Sequence, residues 1–235
     1  MGAVDMPEEH APIGLLEGLA TTRTIRRYTD RPVADETLSA VLWHATRAPS
    51  GSNRQPVRYL VLRDGDTDRA ARELLGRAAR EGWARKEAGD GYRDGSGADA
   101  NSPKARMAAT MRHYSEHFHE APVIVLVCLV RYRERTAYEG ASVYPAVQNL
   151  LLAARGCGLG GAVTMWQLAV EHELRAVLSV PDEVALSGCV TLGYPAGHHG
   201  PVRRRPLADV VYEGTWGLPA PWAHDPEGTR FTRWK

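Results

Sequence analysis

The chain has 235 residues, 43 % of them hydrophobic and 24 % charged, an ordinary balance for one globular domain with a single sizeable core. A formal net charge of +1 and a pI near 7.8 exclude a global pull toward nucleic acid or an anionic membrane, so any anion must be held by a local basic cluster. Cys128, Cys157 and Cys189 lie far apart with no Cys-x-x-Cys spacing, which fits reduced core thiols and a cytoplasmic location better than a disulfide framework or a zinc site.

The first twenty residues carry Asp5, Glu8, Glu9 and Glu17 instead of a basic and then apolar leader, so no secretion signal is expected. Pro12, Ile13, Leu16 and Leu19 predict a first helix, with the basic run 22–28 at its end. A second helix opens around Asp35, whose side chain suits an N-cap, and carries Leu38, Val41, Leu42 and Ala45 on one face until Pro49 stops it. The polar loop 49–56 leads into a strand, Val57 to Leu62.

From Thr67 to about Glu120 the pattern is helical, interrupted at 89–91 and 94–97 by glycine-rich polar stretches, and predicts a lid-like excursion. The run Ala121 to Val130 is too short to span a bilayer and predicts a buried strand from Val123. Val143, Val147, Leu150, Leu151 and Ala154 fall at helical offsets and predict a central helix. Its end, Gly156 to Gly161, lacks the strand-before and helix-after context of a dinucleotide fingerprint and predicts a C-cap and tight turn. A short strand at 162–165, a helix through Leu174, Val177 and Leu178, and a strand from Leu186 to Leu192 follow. Beyond Pro206 a C-terminal arm holds Trp216, Trp222, Phe231 and Trp234 with no period of its own, and such aromatics are expected to pack on something else, a second subunit among the options.

Two arginine clusters, Arg23, Arg26 and Arg27 early and Arg203, Arg204 and Arg205 late, suit phosphate, because a guanidinium makes two parallel charge-assisted bonds to two oxygens; Thr24 adds a hydroxyl. Each cluster alone reads more readily as a solvated surface run. Between Pro49 and Pro56 the loop packs Ser50, Ser52, Asn53 and Gln55 around Gly51, donors and acceptors that suit a planar heterocycle.

The order Arg-Thr-Ile-Arg-Arg-Tyr (23–28), Arg-Pro-Val (31–33) and Ala-Thr-Arg-Ala-Pro-Ser-Gly-Ser-Asn-Arg-Gln-Pro (45–56) resembles the N-terminal pattern of the nitroreductase-like FMN flavoenzymes, a superfamily that includes the iodotyrosine deiodinases. Gln-Asn-Leu-Leu-Leu-Ala-Ala (148–154) running into Gly-Leu-Gly (158–160), then Leu-Gly-Tyr-Pro (192–195) and Arg-Arg-Pro-Leu (204–207), continue the likeness in family order. The resemblance implies an α+β fold with a mixed central sheet flanked by helices, in an interlocked homodimer. It implies one domain over 1–235 with the excursion at about 67–120 and the arm at about 206–235. It implies FMN as cofactor and NAD(P)H as electron donor. By that likeness Arg23, Thr24 and Arg26 hold the phosphate with Arg204 and Arg203 or Arg205. Pro49, Ser50, Gly51 and Asn53 from the partner line the flavin, and Val163, Thr164 and Met165 pass its N5 atom, Thr164 offering a hydroxyl. Thr22 and Val57 depart from the family, where an arginine and a tryptophan are common.

A flavin carries the difficult step, which accounts for the lack of an acid–base or nucleophile constellation. The function expected is hydride uptake from NAD(P)H and reduction of a small acceptor, a nitroaromatic or quinone, by a ping-pong cycle, with selectivity set by the segment 73–111. Reductive dehalogenation and desaturation of a small substrate are the alternatives. A remote one is a zinc protease, since His113, Glu116 and His117 match a His-x-x-Glu-His spacing; a polar helix explains the same residues.

Overall fold

The computed structural model describes residues 13–232; Pro12, Trp234 and the acidic residues before Pro12 lie outside the described residues. In chain order the main elements are α1 (Leu15–Thr21), α2 (Asp35–Ala45), β1 (Val57–Leu62), α3 (Asp66–Gly89), α4 (Pro103–Glu116), β2 (Val123–Val130), α5 (Gly140–Gly156), β3 (Gly160–Thr164), α6 (Glu171–Leu178) and β4 (Val184–Gly193).

Four strands form one sheet in the order β1-β2-β4-β3 with antiparallel neighbours; isolated parallel bridges join Thr24 to Gly161 of β3 and Arg204 to Phe231. The uninterrupted apolar run of β2 follows from its place in the middle. Side chains alternate across a strand, and here Val123, Val125, Val127 and Leu129 join α2 and α5 on one face while Ile124, Leu126 and Cys128 join α3, α4 and α6 on the other. Both faces are therefore covered, and burying each large side chain of this strand contributes roughly 1.5–3 kcal/mol. Between Val127 and Cys128 the register with β4 shifts, from Gly188 to Leu186, which leaves Ser187 as a bulge.

The excursion is two helices. Ser102 caps α4 by accepting the Ala105 N–H at 2.9 Å, with Pro103 in the first turn. Glu87, near the end of α3, has a side chain only 5 % exposed and accepts from Arg93 at 2.9 Å and Arg112 at 2.5 Å, which holds its carboxyl below the ordinary range. Phe118 is fully buried, edge-on to Tyr114 and Trp166.

One expectation is corrected by a long-range pairing. Asp35 does not cap α2; Ala34 occupies the cap with no side-chain bond, and the Asp35 carboxylate pairs with Arg63 instead. In α1 the described helix starts at Leu15, and Leu15, Leu16 and Leu19 are exposed, not packed on their own chain. The C-terminal arm ties back through Asp225, which accepts the Leu207 N–H, yet Trp216 is 88 % exposed and Trp222 62 %.

Candidate functional site

Backbone lacing brings the two arginine clusters together. Ala196, Gly200 and Val202 donate to the carbonyls of Arg27, Thr21 and Ala20, so 196–202 runs beside 20–27 and Arg203 stands one residue beyond the last rung. The same early segment docks on β3, where Ile25 N–H donates to Gly161 O at 2.9 Å. Two glycines permit this approach: a Cβ on Gly160 would sit 2.4 Å from Ile25, and one on Gly161 would lie under 3.0 Å from Leu151, Leu192 and the Thr191 carbonyl.

His199 pins the junction. Its Nδ1 accepts the Arg23 N–H and its Nε2 donates to Leu159 O, both at 3.2 Å; a ring that accepts at Nδ1 and donates at Nε2 is neutral. Burial lowers its pKa, the Leu159 carbonyl raises it, and the charges of Arg155 and Arg23 lower it further. Arg155, in the last turn of α5, thus belongs to the same cluster, and its Nε is buried with no hydrogen-bond partner. Neither residue carried a sequence signal: His199 sits in a run that reads as a turn, and Arg155 reads as an ordinary basic C-terminus. Among the described residues Arg23, Arg26, Arg155, Arg203 and Arg204 form no ion pair with a carboxylate, an arrangement that favours an external anion.

The turn before β3 behaves as expected of a C-cap: Gly158 has φ +74°, and Leu159 N–H reaches back to Ala154 O at 2.8 Å. β3 is an edge strand. Because Ile25 binds the Gly161 carbonyl from outside the sheet, the period of two points the Val163 peptide groups off the same open edge. Val163 and Met165 are 39 % and 42 % exposed. Thr164 is half-buried and lies on the other face, its hydroxyl 3.5 Å from the Cys189 carbonyl.

The serine loop is closed on itself. Ser50 Oγ accepts the Gln55 N–H at 2.9 Å, Gln55 Nε2 donates to Asn53 Oδ1 at 3.2 Å, and Gly51 N–H donates to Ser142 Oγ at 3.3 Å. Ser52, Asn53 and Gln55 have φ of +51°, +50° and +51°, left-handed values that non-glycine residues seldom adopt and that concentrate at functional sites. Pro49 and Ser50 line a cavity of about 350 Å³ with Ser142 and Ala146; Met165 lines a different one of about 580 Å³ with Val143 and Tyr144. A single chain therefore does not bring Pro49, Ser50, Gly51 or Asn53 into the cavity beside Met165.

Arg26 is half-buried and lines a third cavity, about 370 Å³, with Arg27, His113 and His117. It lies close enough to Tyr28 and Tyr114 to favour their ionised forms, but desolvation dominates and both phenols stay protonated. Tyr28 OH and Tyr114 OH each lie 2.7 Å from Thr191 Oγ1. His113 and His117 stack at 4.4 Å and His117 meets Glu120 at 2.8 Å; among the described residues no three His, Cys, Asp or Glu side chains are placed to hold a metal. Cys128, Cys157 and Cys189 are buried and unbridged, and burial pushes the Cys189 thiol up to about 12. Among the described residues no helix is long and apolar enough to cross a membrane.

A helix-covered antiparallel sheet with an open edge defines an α+β protein, and beside that edge lie arginines that pair with no carboxylate among the described residues. The chain belongs to the Nitroreductase family, whose pattern matches residues 19–194. It is 34 % identical over 200 residues to an NADH dehydrogenase of Thermus thermophilus, covering 80 % of this chain and 90 % of that one. It is 30 % identical over 198 residues to a 4-nitrobenzoate reductase of Nocardioides sp., covering 75 % and 78 %. An FMN complex from Desulfovibrio desulfuricans classed with the nitroreductases superposes with a TM-score of 0.63 at 27 % identity, covering 88 % of this chain and 99 % of that one.

Proposed function

We propose that the protein is an FMN-dependent oxidoreductase that takes hydride from NAD(P)H and reduces a small organic acceptor, a nitroaromatic or quinone, in a ping-pong cycle. The observation that carries this is the meeting, at the free edge of β3, of Arg23, Arg155, Arg203 and Arg204, which form no ion pair with a carboxylate among the described residues. The names of the Thermus and Nocardioides relatives and the FMN of the Desulfovibrio complex support it.

FMN, when bound, supplies the two-electron chemistry between the nicotinamide and the acceptor, which is why the chain needs no strong acid or base of its own. Its phosphate suits Arg23, Thr24, Arg203, Arg204 and Arg205, with Arg155 close behind. Arg26, half-buried on the same segment as Arg23, adds a further cation for the phosphate. Val163 and Met165 offer apolar contact, and the off-edge peptide groups of Val163 offer a donor and an acceptor to the ring. The side-chain placement favours these backbone groups over the Thr164 hydroxyl.

The active species is a homodimer on this reading. Leu15, Leu16, Leu19, Trp216 and Leu218 are exposed by 49 % or more, apolar side chains that a second copy would cover, and the serine loop can then meet the partner's β3. Replacing Arg23 and Arg204 together by alanine is expected to weaken FMN retention at least about a hundredfold, from two lost charge-assisted contacts, as read by the yellow absorbance of dialysed protein. Anaerobic bleaching by NADH or NADPH alone is the expected result for a reductase. Bleaching only by an organic donor, with oxygen consumed on reoxidation, would replace it with a desaturase, and a colourless dimer that FMN cannot reconstitute would overturn the flavin reading.

A further inference from the structure

We propose that the cavity beside Met165 is a subsite for an aromatic substrate carrying one anionic group, and that Arg135 is the specificity-determining residue that meets the charge. This deepens the flavin reading and rests on it.

The cavity measures about 580 Å³, within the usual size of a small-molecule site. Val143, Tyr144, Met165 and Leu168 give it apolar walls, and Met165 ties it to the open edge of β3. A flat ring would find a surface there beside the place where the electrons are exchanged.

Its charges resolve pair by pair. Arg131 binds Glu139 through two bonds of 2.9 and 3.1 Å, so those two cancel. Glu171 is held by Arg175 of its own helix at 3.0 and 2.6 Å, so that carboxylate is also spent. Arg135 remains; among the described residues it forms no ion pair and no side-chain hydrogen bond. Arg135 lies near enough to Glu139 to help lower its pKa, but Arg131 already holds that carboxylate through two bonds, and a guanidinium with no bonded partner in a lining that mixes apolar and polar side chains matches a ring with one carboxylate, which the planar fork can grip with two parallel bonds. Ser187, turned out of register by the bulge in β4, adds a hydroxyl to the lining.

The other cavities lack this combination. Beside the serine loop, the Arg54 guanidinium is stacked over the Tyr132 ring at 4.1 Å. The cavity at Arg26 mixes its cations with Asp30, Asp64 and Glu120. None of the residues lining this cavity comes from 66–120, so this subsite adds the segment between β2 and α5 to the selectivity expected of 73–111.

The test compares 4-nitrobenzoate with 4-nitrobenzamide, alike in shape and different in charge, on the FMN-loaded full-length protein. KM is expected to be about tenfold lower for the carboxylate, and R135Q to erase the difference by raising only that KM. R135K should keep part of the preference, and R133Q, at a guanidinium stacked over Tyr132 and Tyr138 outside the cavity, should keep all of it. Calorimetric titration of the oxidised protein with benzoate reads the same subsite without turnover, and R135Q should weaken that binding about tenfold. No preference in the wild type, equal KM changes for both substrates, or equal effects of R133Q and R135Q would each overturn the proposal. A protein that never retains FMN would overturn the flavin reading first, whereas a yellow, NAD(P)H-reducible protein indifferent to charge would sink this proposal alone.

Discussion

The two faces of the sheet are finished to different degrees. On the face under α3, α4 and α6, Phe118, Leu75, Ile124, Leu126 and Leu174 are fully buried; Tyr114 pairs with Thr191 and Glu87 with two arginines, while Trp83 Nε1, His119 Nδ1 and Gln167 Oε1 are buried without a partner among the described residues. On the face under α2 and α5 the packing is as complete over β2, but Val57, Tyr59 and Val61 of β1 are only half-buried, and at β3 Val163, Met165 and Tyr144 stand in the open beside a sheet edge. The first face supplies stability that one chain can provide by itself. The second reserves its unfinished edge for what binds there, and the contrast predicts that mutations on the two faces separate into folding effects and binding effects.

The largest folding effect is expected at Phe118. Phe118→Ala removes a fully buried ring in contact with Tyr114 and Trp166, and should cost about 3–5 kcal/mol in denaturant unfolding; a cost under about 1 kcal/mol would mean that this face is not the closed core described. Thr191→Val comes next. It keeps the shape but takes the hydroxyl away from two phenols, Tyr28 and Tyr114, and should cost about 2 kcal/mol by leaving the Tyr114 OH buried without a partner.

Glu87→Gln is smaller, about 1.5 kcal/mol at neutral pH, because its arginines are half or more exposed and screened by water. Hydrogen bonds from Arg112 and then Arg93 lower the pKa of Glu87, so its contribution is present above the unfolded value of about 4.5 and disappears as the pH falls through the lowered one. Wild type and variant should accordingly converge in acid; a gap that stays constant down to pH ~2 would show that the carboxylate charge is not what matters there.

Local pattern made much of this legible. The strands Val57–Leu62 and Val123–Val130 stand where β-branched and apolar runs placed them, and Val143, Val147, Leu150 and Ala154 face the core of α5 as their spacing required. The arginine clusters and the serine loop were likewise visible as chemistry. What stayed hidden depends on separation along the chain. Asp35 looks like a cap until Arg63, 28 residues on, arrives beside it. Thr164 looks like a hydroxyl donor to a ligand until strand parity, set by the Ile25–Gly161 bond, turns it toward Cys189. The cation at Arg135 reads as a surface charge until its neighbours are seen to be spent on one another.

His199 carries the smallest effect and the sharpest test of the unfinished side, because it joins the arginine cluster to β3 with no help from the closed core. The neutral ring makes both of its bonds, and protonation at Nδ1 would break the one to the Arg23 N–H while adding charge beside Arg23 and Arg155. Its folded pKa is lowered from 6.5, chiefly by burial. The unfolded chain therefore takes up the proton first as the pH drops, so the stability that His199 contributes is complete above about 6.5 and is lost through the lowered value. His199→Gln should cost about 1 kcal/mol near pH 7.5, a few degrees in Tm, with the gap closing as the pH falls from 6.5 through the lowered value. A gap independent of pH would mean that the ring acts only as packing, and the Arg23 segment would then need another anchor on β3.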